Sequence, residues 1–403
     1  MYSVKIFLVL LSSIIIHSSL NAQLLSEIEL AKKKVYRSLQ DAYKQPKDVY
    51  VLNLSSKDIK ELPDNIEVFE NLQWLDVSKN DLISLPNTIT DIKYMQVLRV
   101  NDNALESLPE DIGELKYLTE FALFKNKLKK LPDSFGNLTK LTKLELYVNN
   151  LEKLPESMGN LENLKSIDLY VNELSKLPQS FAKLNKVESI YLGSNRFKKF
   201  PEAILEFTKL EVLDLSNNHI RSIPKSVSQL KELKTLILFD NKLRSFPDQI
   251  GSLINLEKLD VSDNKLKKLP DSFAQLESLI EINLDYNRLR AFPSCFVELE
   301  ALKTLRLTSN NISSLPEEIG KMSSLFLLSL DENPITILPE NFFNLKNLKS
   351  LDLSGTSIYE LPAMLGGLES LRYLNLADLG LTEDQQSQIR SYMERAKGIE
   401  IIF

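Results

Sequence analysis

The sequence predicts an α/β solenoid, with a parallel sheet of about 15 short strands on a concave face and short helical turns on the convex face. Three observations predict it. Fourteen of the sixteen prolines, from Pro63 to Pro362, stand 23 residues apart without an insertion. Around each lies a unit of the form LxxLxLxxNxLxxLPxxIxxL, clear at Leu256, Leu259, Val261, Asn264, Leu266, Leu269, Pro270, Phe273 and Leu276. An asparagine column runs with the same period from Asn80 to Asn333. The 403 residues would otherwise suggest two or three globular units at roughly 150 residues each. A fixed period replaces that prior, because no single repeat can bury its own core and neighbours must stack into one cooperative array.

The elements follow in chain order. Residues 1–22 read as a signal peptide: Met1 to Lys5 carries one positive charge, Ile6 to Ile16 is apolar, and His17 to Ala22 is polar and small. About eleven apolar residues, interrupted by Ser12 and Ser13, fall short of the roughly 20 that cross a bilayer. The mature chain is therefore expected to be secreted, periplasmic or on the cell surface, with no membrane span. Residues 23–48 are expected to form an N-terminal capping helix, with Leu24, Ile28, Ala31, Val35, Leu39 and Ala42 at helical spacing and Pro46 ending the run. Residues 49–381 form the array.

Within each repeat the LxL pair alternates at strand period, so both apolar side chains enter the core and the residues beside them face solvent. At about 4.8 Å per strand the sheet would run roughly 70 Å. The asparagine sits where the chain turns inward and satisfies backbone groups that have no strand partner. Proline suits the first position of a short helical turn, and acids such as Asp133, Glu156 and Asp271 suit its positive end. Residues 382–403 close the array, with a capping helix over about Glu383 to Ala396 and a short last strand in IEIIF after Gly398.

Composition narrows function. Apolar residues at 43% and charged residues at 26% are ordinary for a folded soluble chain and exclude a disordered one. The net charge of -6 becomes -7 without Lys5, which disfavours a nucleic-acid binder. Cys295 is the only cysteine, and His17 and His219 are the only histidines, so a Cys/His metal site is excluded and no cofactor is expected. No GxxxxGK[ST], GxGxxG or HExxH occurs. A catalytic triad would have to centre on His219, which belongs to a solvated basic row. The chain is not expected to be an enzyme.

The 23-residue LP unit and its lead-in LQDAYKQPKDVYVLNL, Leu39 to Leu54, resemble secreted bacterial leucine-rich repeat proteins. The resemblance covers about residues 49–381. It implies a horseshoe and a binding module that recognises protein or glycan through its concave face, with no chemistry of its own. The caps lack the paired cysteines of extracellular animal and plant relatives, which points to the bacterial group or to a cytosolic Ras-suppressor-like scaffold. The apolar N-terminus favours the former. An intracellular small-GTPase scaffold with an uncleaved N-terminus stays open as an alternative, as does a purely structural array.

Positions that the repeat does not dictate carry the remaining information. The first residue after each LxL pair reads Phe124, Tyr147 and Tyr170 in three successive repeats, with Val148 and Val171 following and Tyr191 on the same sheet face of the next strand. These residues are expected to form an apolar partner-binding patch, and Ile237 and Phe239 a smaller one, because exposed aromatics dominate binding hot spots. Between the core residues runs an acidic-leaning column that includes Asp76, Glu145, Asp168, Asp214, Asp260 and Asp352. Beyond the asparagine lies a basic ridge, Arg196, His219, Lys242, Lys265 and Arg288, suited to an anionic glycan or an acidic protein. The plainer expectation is that this ridge pairs with the acids after each proline.

Overall fold

The computed structural model describes residues 24–403, so the expected signal segment lies outside the described residues. By internal contacts the chain falls into two compact units, up to Val187 and from Glu188 to Phe403. A solenoid repeat touches only its neighbours, so contact density has no single centre of the kind a globule has.

The first unit contains β1 (Val35–Tyr36), β2 (Val51–Asn53), β3 (Trp74–Asp76), β4 (Val97–Arg99), β5 (Glu120–Ala122), β6 (Lys143–Glu145) and β7 (Ser166–Asp168). Each pairs in parallel with the next, and from β2 onward each step is 23 residues: Leu52 lies opposite Leu75 and Leu144 opposite Ile167. The second unit repeats the arrangement from β8 (Ser189–Tyr191) to β16 (Tyr373–Asn375), and β17 (Glu400–Ile402) adds to its far edge. β2 to β16 are the fifteen expected strands. β1 is an additional strand that the sequence reading missed.

That miss has a physical cause. In place of one capping helix over 23–48, the chain forms α1 (Glu27–Ala31), then β1, then α2 (Leu39–Ala42) and a 3-10 turn at Pro46–Asp48. The open edge of β2 needs backbone partners. Val35 and Tyr36 supply them, which overrides the helical spacing of the apolar residues, and Ile28 is left 70% exposed. The preceding segment is tied down separately. Gln73 Oε1 accepts from Leu25 N at 2.9 Å, and Gln96 Nε2 donates to the Leu25 carbonyl at 2.8 Å.

The asparagines bridge adjacent repeats in both units. Asn126 Nδ2 donates to the Val100 and Leu123 carbonyls at 3.1 and 3.0 Å, and its Oδ1 accepts from Leu105 N at 3.0 Å. Asn264 does the same with Leu238, Val261 and Leu243. One residue earlier, every repeat from Ser56 to Asp378 passes through the left-handed region, with φ between 48° and 62°.

Proline does not occupy the first position of the turn. Pro132 stands just before the 3-10 turn Asp133–Asn137, in extended geometry, and its carbonyl accepts the turn's first bond from Phe135 N at 3.0 Å. Its missing N–H therefore lies outside the ladder and costs nothing. The turns of neighbouring repeats pack closely: a Cβ on Gly136 would lie 2.2 Å from the Ser157 carbonyl oxygen.

At the far end α3 (Glu383–Tyr392) starts with a capping box between Thr382 and Gln385 and buries Ile389. Among the described residues no helix is long and apolar enough to cross a membrane.

Candidate functional site

In the first unit the solvent side of the strands carries the expected aromatics. Phe124 and Tyr147 stack, with ring centroids 4.4 Å apart and planes 8° from parallel. Both are half-buried, while Tyr170 one repeat further on is 37% exposed. Burial first, and then the carboxylates of Glu145 and Asp168, push the Tyr147 phenol above its ordinary range, so it stays a hydrogen-bond donor at neutral pH.

Val148 and Val171 are the residues in left-handed conformation in their repeats, at φ 57° and 54°. A β-branched side chain is a poor choice there and costs about 1–3 kcal/mol. Asn217, Asp240 and Asp263 fill the same position in the second unit with residues that tolerate it better. The strained valines keep the surface beside the aromatic pair apolar, and Val148 is 37% exposed.

Beside the stack lies a bowl of about 610 Å³ that sequence reasoning missed, lined in part by Glu27, Asp76, Arg99, Ala122, Lys143 and Phe124. Read across repeats, the column between the core residues runs Asp76, Arg99, Ala122, Glu145, and the one small residue in that run leaves the hollow. The bowl's two cations are already engaged. Arg99 Nε meets Glu120 Oε1 at 2.6 Å and Lys143 Nζ meets Glu145 Oε1 at 2.7 Å. These hydrogen bonds raise both cations' pKa values, so both stay charged. Asp76, only 8% exposed, accepts at Oδ1 from Ser78 N and Oγ at 2.9 and 2.6 Å. Four carboxylates, Glu27, Asp76, Glu120 and Glu145, thus face two cations around one hollow.

The acidic column is partly structural. Asp214, Asp260 and Asp352 each accept from the backbone N–H two residues on, at 2.8, 3.0 and 3.0 Å. The recurring Asp-x-Ser spacing was the signal for this.

In the second unit Tyr191 is half-buried, and Ile237 and Phe239 form a small apolar island whose neighbours in the same columns are Asp214, Ser216, Asp260 and Ser262. Arg196, His219, Lys242 and Arg288 are exposed, and Lys265 is half-buried. The expected pairing of the ridge with acids after the prolines is not found for Lys242, Lys265 or Arg288. Ion pairs of this unit include Lys234 to Glu211 and Lys258 to Glu281, which join residues on or just before the strands.

Cys295 is buried, and burial pushes its thiol up to about 12, so it is protonated at neutral pH and a poor nucleophile. Among the described residues no group of three or more His, Cys, Asp or Glu side chains is arranged to hold a metal.

The model of a leucine-rich repeat region matches residues 49–151, 98–189, 136–236 and 294–394, and a leucine rich repeat model matches 244–289. No curated protein matches the sequence. Among solved structures the chain is similar to a leucine-rich repeat protein of Leptospira interrogans, at 34% identity and a TM-score of 0.78, over 92% of this chain and 100% of that one. It is similar to the plant peptide hormone receptor RGFR1 in complex with RGF2, at 27% identity and a TM-score of 0.69, over 86% of this chain and 61% of the receptor's. An internalin of Listeria monocytogenes shares the fold at 20% identity and a TM-score of 0.63, over 89% of this chain and 88% of that one.

Proposed function

The chain belongs to the leucine-rich repeat family, and from that premise we propose that it is a non-catalytic recognition protein acting outside the cytoplasm, whose first unit holds a protein partner on the solvent side of its strands. The observation that carries this reading is the stacked Phe124–Tyr147 pair at the rim of the bowl, flanked by two valines held in an unfavourable conformation. The rings supply apolar area, and the rim of four carboxylates and two cations favours a segment that presents a basic side chain next to an apolar one. Similarity to a receptor solved with its peptide supports a protein partner, and the apolar N-terminal segment supports export. Tyr170 extends the anchor surface by one repeat.

The test is to pan a random displayed peptide library on the parent protein and on Phe124→Ala/Tyr147→Ala. Selected peptides should carry a basic residue beside an aromatic or aliphatic one. The double variant should bind them at least about 30-fold more weakly, the scale of a hot-spot loss near 2 kcal/mol. Equal affinity for the same peptides would remove the patch from the account.

A further inference from the structure

The second unit carries two columns of cations on the flank that follows the asparagines. Lys242 and Arg244, Lys265 and Lys267, and Arg288 and Arg290 occupy them in three consecutive repeats, and the two repeats before these continue the pattern. Nine of those ten positions are Lys or Arg, and the tenth is His219. The corresponding columns of the first unit include Glu106, Glu152 and Glu173.

Among the described residues no carboxylate forms an ion pair with any of the six named cations, although the chain as a whole is net negative. Asp248 and Asp271 follow the prolines of the same repeats and leave them unpaired. Parallel strands set neighbouring repeats about 4.8 Å apart, so like charges are stacked at a spacing where they repel, within the Debye length of physiological salt. Lys267, Lys268 and Arg290 also line a hollow of about 300 Å³ against Phe292 and Ser294, with Asp271 at its edge.

We propose that this flank binds a linear sulfated polysaccharide, independently of the strand face of the first unit. Five repeats present a regularly spaced double row with nine Lys or Arg side chains over roughly 19 Å at the strand spacing. A chain with anionic groups along its length neutralises such a row without bending, whereas a folded acidic protein presents carboxylates scattered over a curved surface. Single-stranded nucleic acid is disfavoured because its binding sites interleave aromatic platforms with the cations. Here Tyr286, at the position before Asn287, is exposed beside the row, whereas Phe197, Phe246 and Phe292 are buried and offer no stacking platform.

The experiment measures binding of the whole chain to immobilised heparin as the probe, with dextran sulfate, neutral dextran, polyglutamate and a poly-dT oligonucleotide as competitors. The ridge variant is Lys242→Gln/Arg244→Gln/Lys265→Gln/Lys267→Gln. The control variant, Lys127→Gln/Lys129→Gln/Lys130→Gln/Lys153→Gln, removes the same charge from the first unit. A second ridge variant, Lys267→Glu/Arg290→Glu, reports on the hollow, and unchanged melting curves establish that each variant is folded. Both ridge variants should lose about tenfold or more in affinity, the control less than about twofold, and tripling the salt should weaken the parent steeply. Dextran sulfate should compete best. The proposal is overturned if the parent does not bind at physiological salt, if the control loses as much as the ridge variants, or if polyglutamate or poly-dT competes better at equal charge.

Discussion

The two units are built from the same repeat and place different chemistry on it. In the first, the strand face carries the Phe124–Tyr147 stack, Tyr170 and two valines, and the flank columns mix signs. In the second, the strand face is richer in Asp and Ser, with Tyr191, Ile237 and Phe239 among them, while the flank columns from Arg196 to Arg290 are Lys or Arg at every position but His219. The letters that the stack requires are common to both, namely the core leucines, the asparagine and the proline. The differences lie in the other columns, where Asp214, Asp260 and Asp352 still bond their own backbone and the exposed side chains can meet a partner.

The comparison breaks first if the shared columns are not equivalent. Asn126→Leu and Asn264→Leu each leave one buried N–H, that of Leu105 or Leu243, without a partner and remove one of the two amide donors from each of two buried carbonyls, so each should destabilise its own unit by about 1–3 kcal/mol. Urea unfolding followed by hydrogen exchange would read this unit by unit. A marked difference between the two variants would mean that the ladder is not one device.

The left-handed column sharpens the comparison at smaller scale. Val148→Asn should raise stability by about 1 kcal/mol, and Asp263→Val should lower it by a similar amount, because only the first replaces a β-branched residue at positive φ. Thermal melts of both variants check the sign. Retention of valine in the first unit despite this cost would be unexplained if Val148→Asn bound selected peptides as well as the parent.

The polar strand face of the second unit gives a pH signature. Asp285 accepts from Thr308 N at 2.7 Å, and Thr308 Oγ1 donates to Asp331 at 2.9 Å. Burial is the main cause that raises both carboxyl pKa values. A carboxyl that is harder to ionise when folded contributes stability below its unfolded value near 3.8, and that contribution is lost as pH rises through the raised folded value. Asp285→Asn keeps the acceptor and should be more stable than the parent at pH 7, by less than about 1 kcal/mol, with the gap closing towards pH 3. By the same reasoning burial of Cys295 gives stability that is complete below 9.0 and falls as pH climbs towards 12. Ellman's reagent should therefore label the unfolded chain and spare the folded one at pH 8.

The array was legible because its period is exact to the residue and each repeated letter answers a local need. The fifteen core strands, the asparagine bridges and the C-terminal helix follow from that. The N-terminal cap was not legible, because Val35 and Tyr36 respond to the open edge of a strand distant in sequence, and helical spacing carries no trace of that edge. Proline's place was misread by one residue, since a fixed φ suits the residue before a turn as well as its first residue. Phe124, Tyr147 and Tyr170 were legible as an aromatic column. The bowl beside them was not, because a hollow made by Ala122 among longer side chains shows only when one column is read across neighbouring repeats.

The most direct measurement is a crossed pair of titrations. Peptides selected on the parent and a heparin chain are each titrated against Phe124→Ala/Tyr147→Ala and against Lys242→Gln/Arg244→Gln/Lys265→Gln/Lys267→Gln. Two separate surfaces in freely varying columns predict that the first variant loses only the peptide and the second only the polysaccharide. Loss of both ligands by either variant, or of neither by both, would contradict the account.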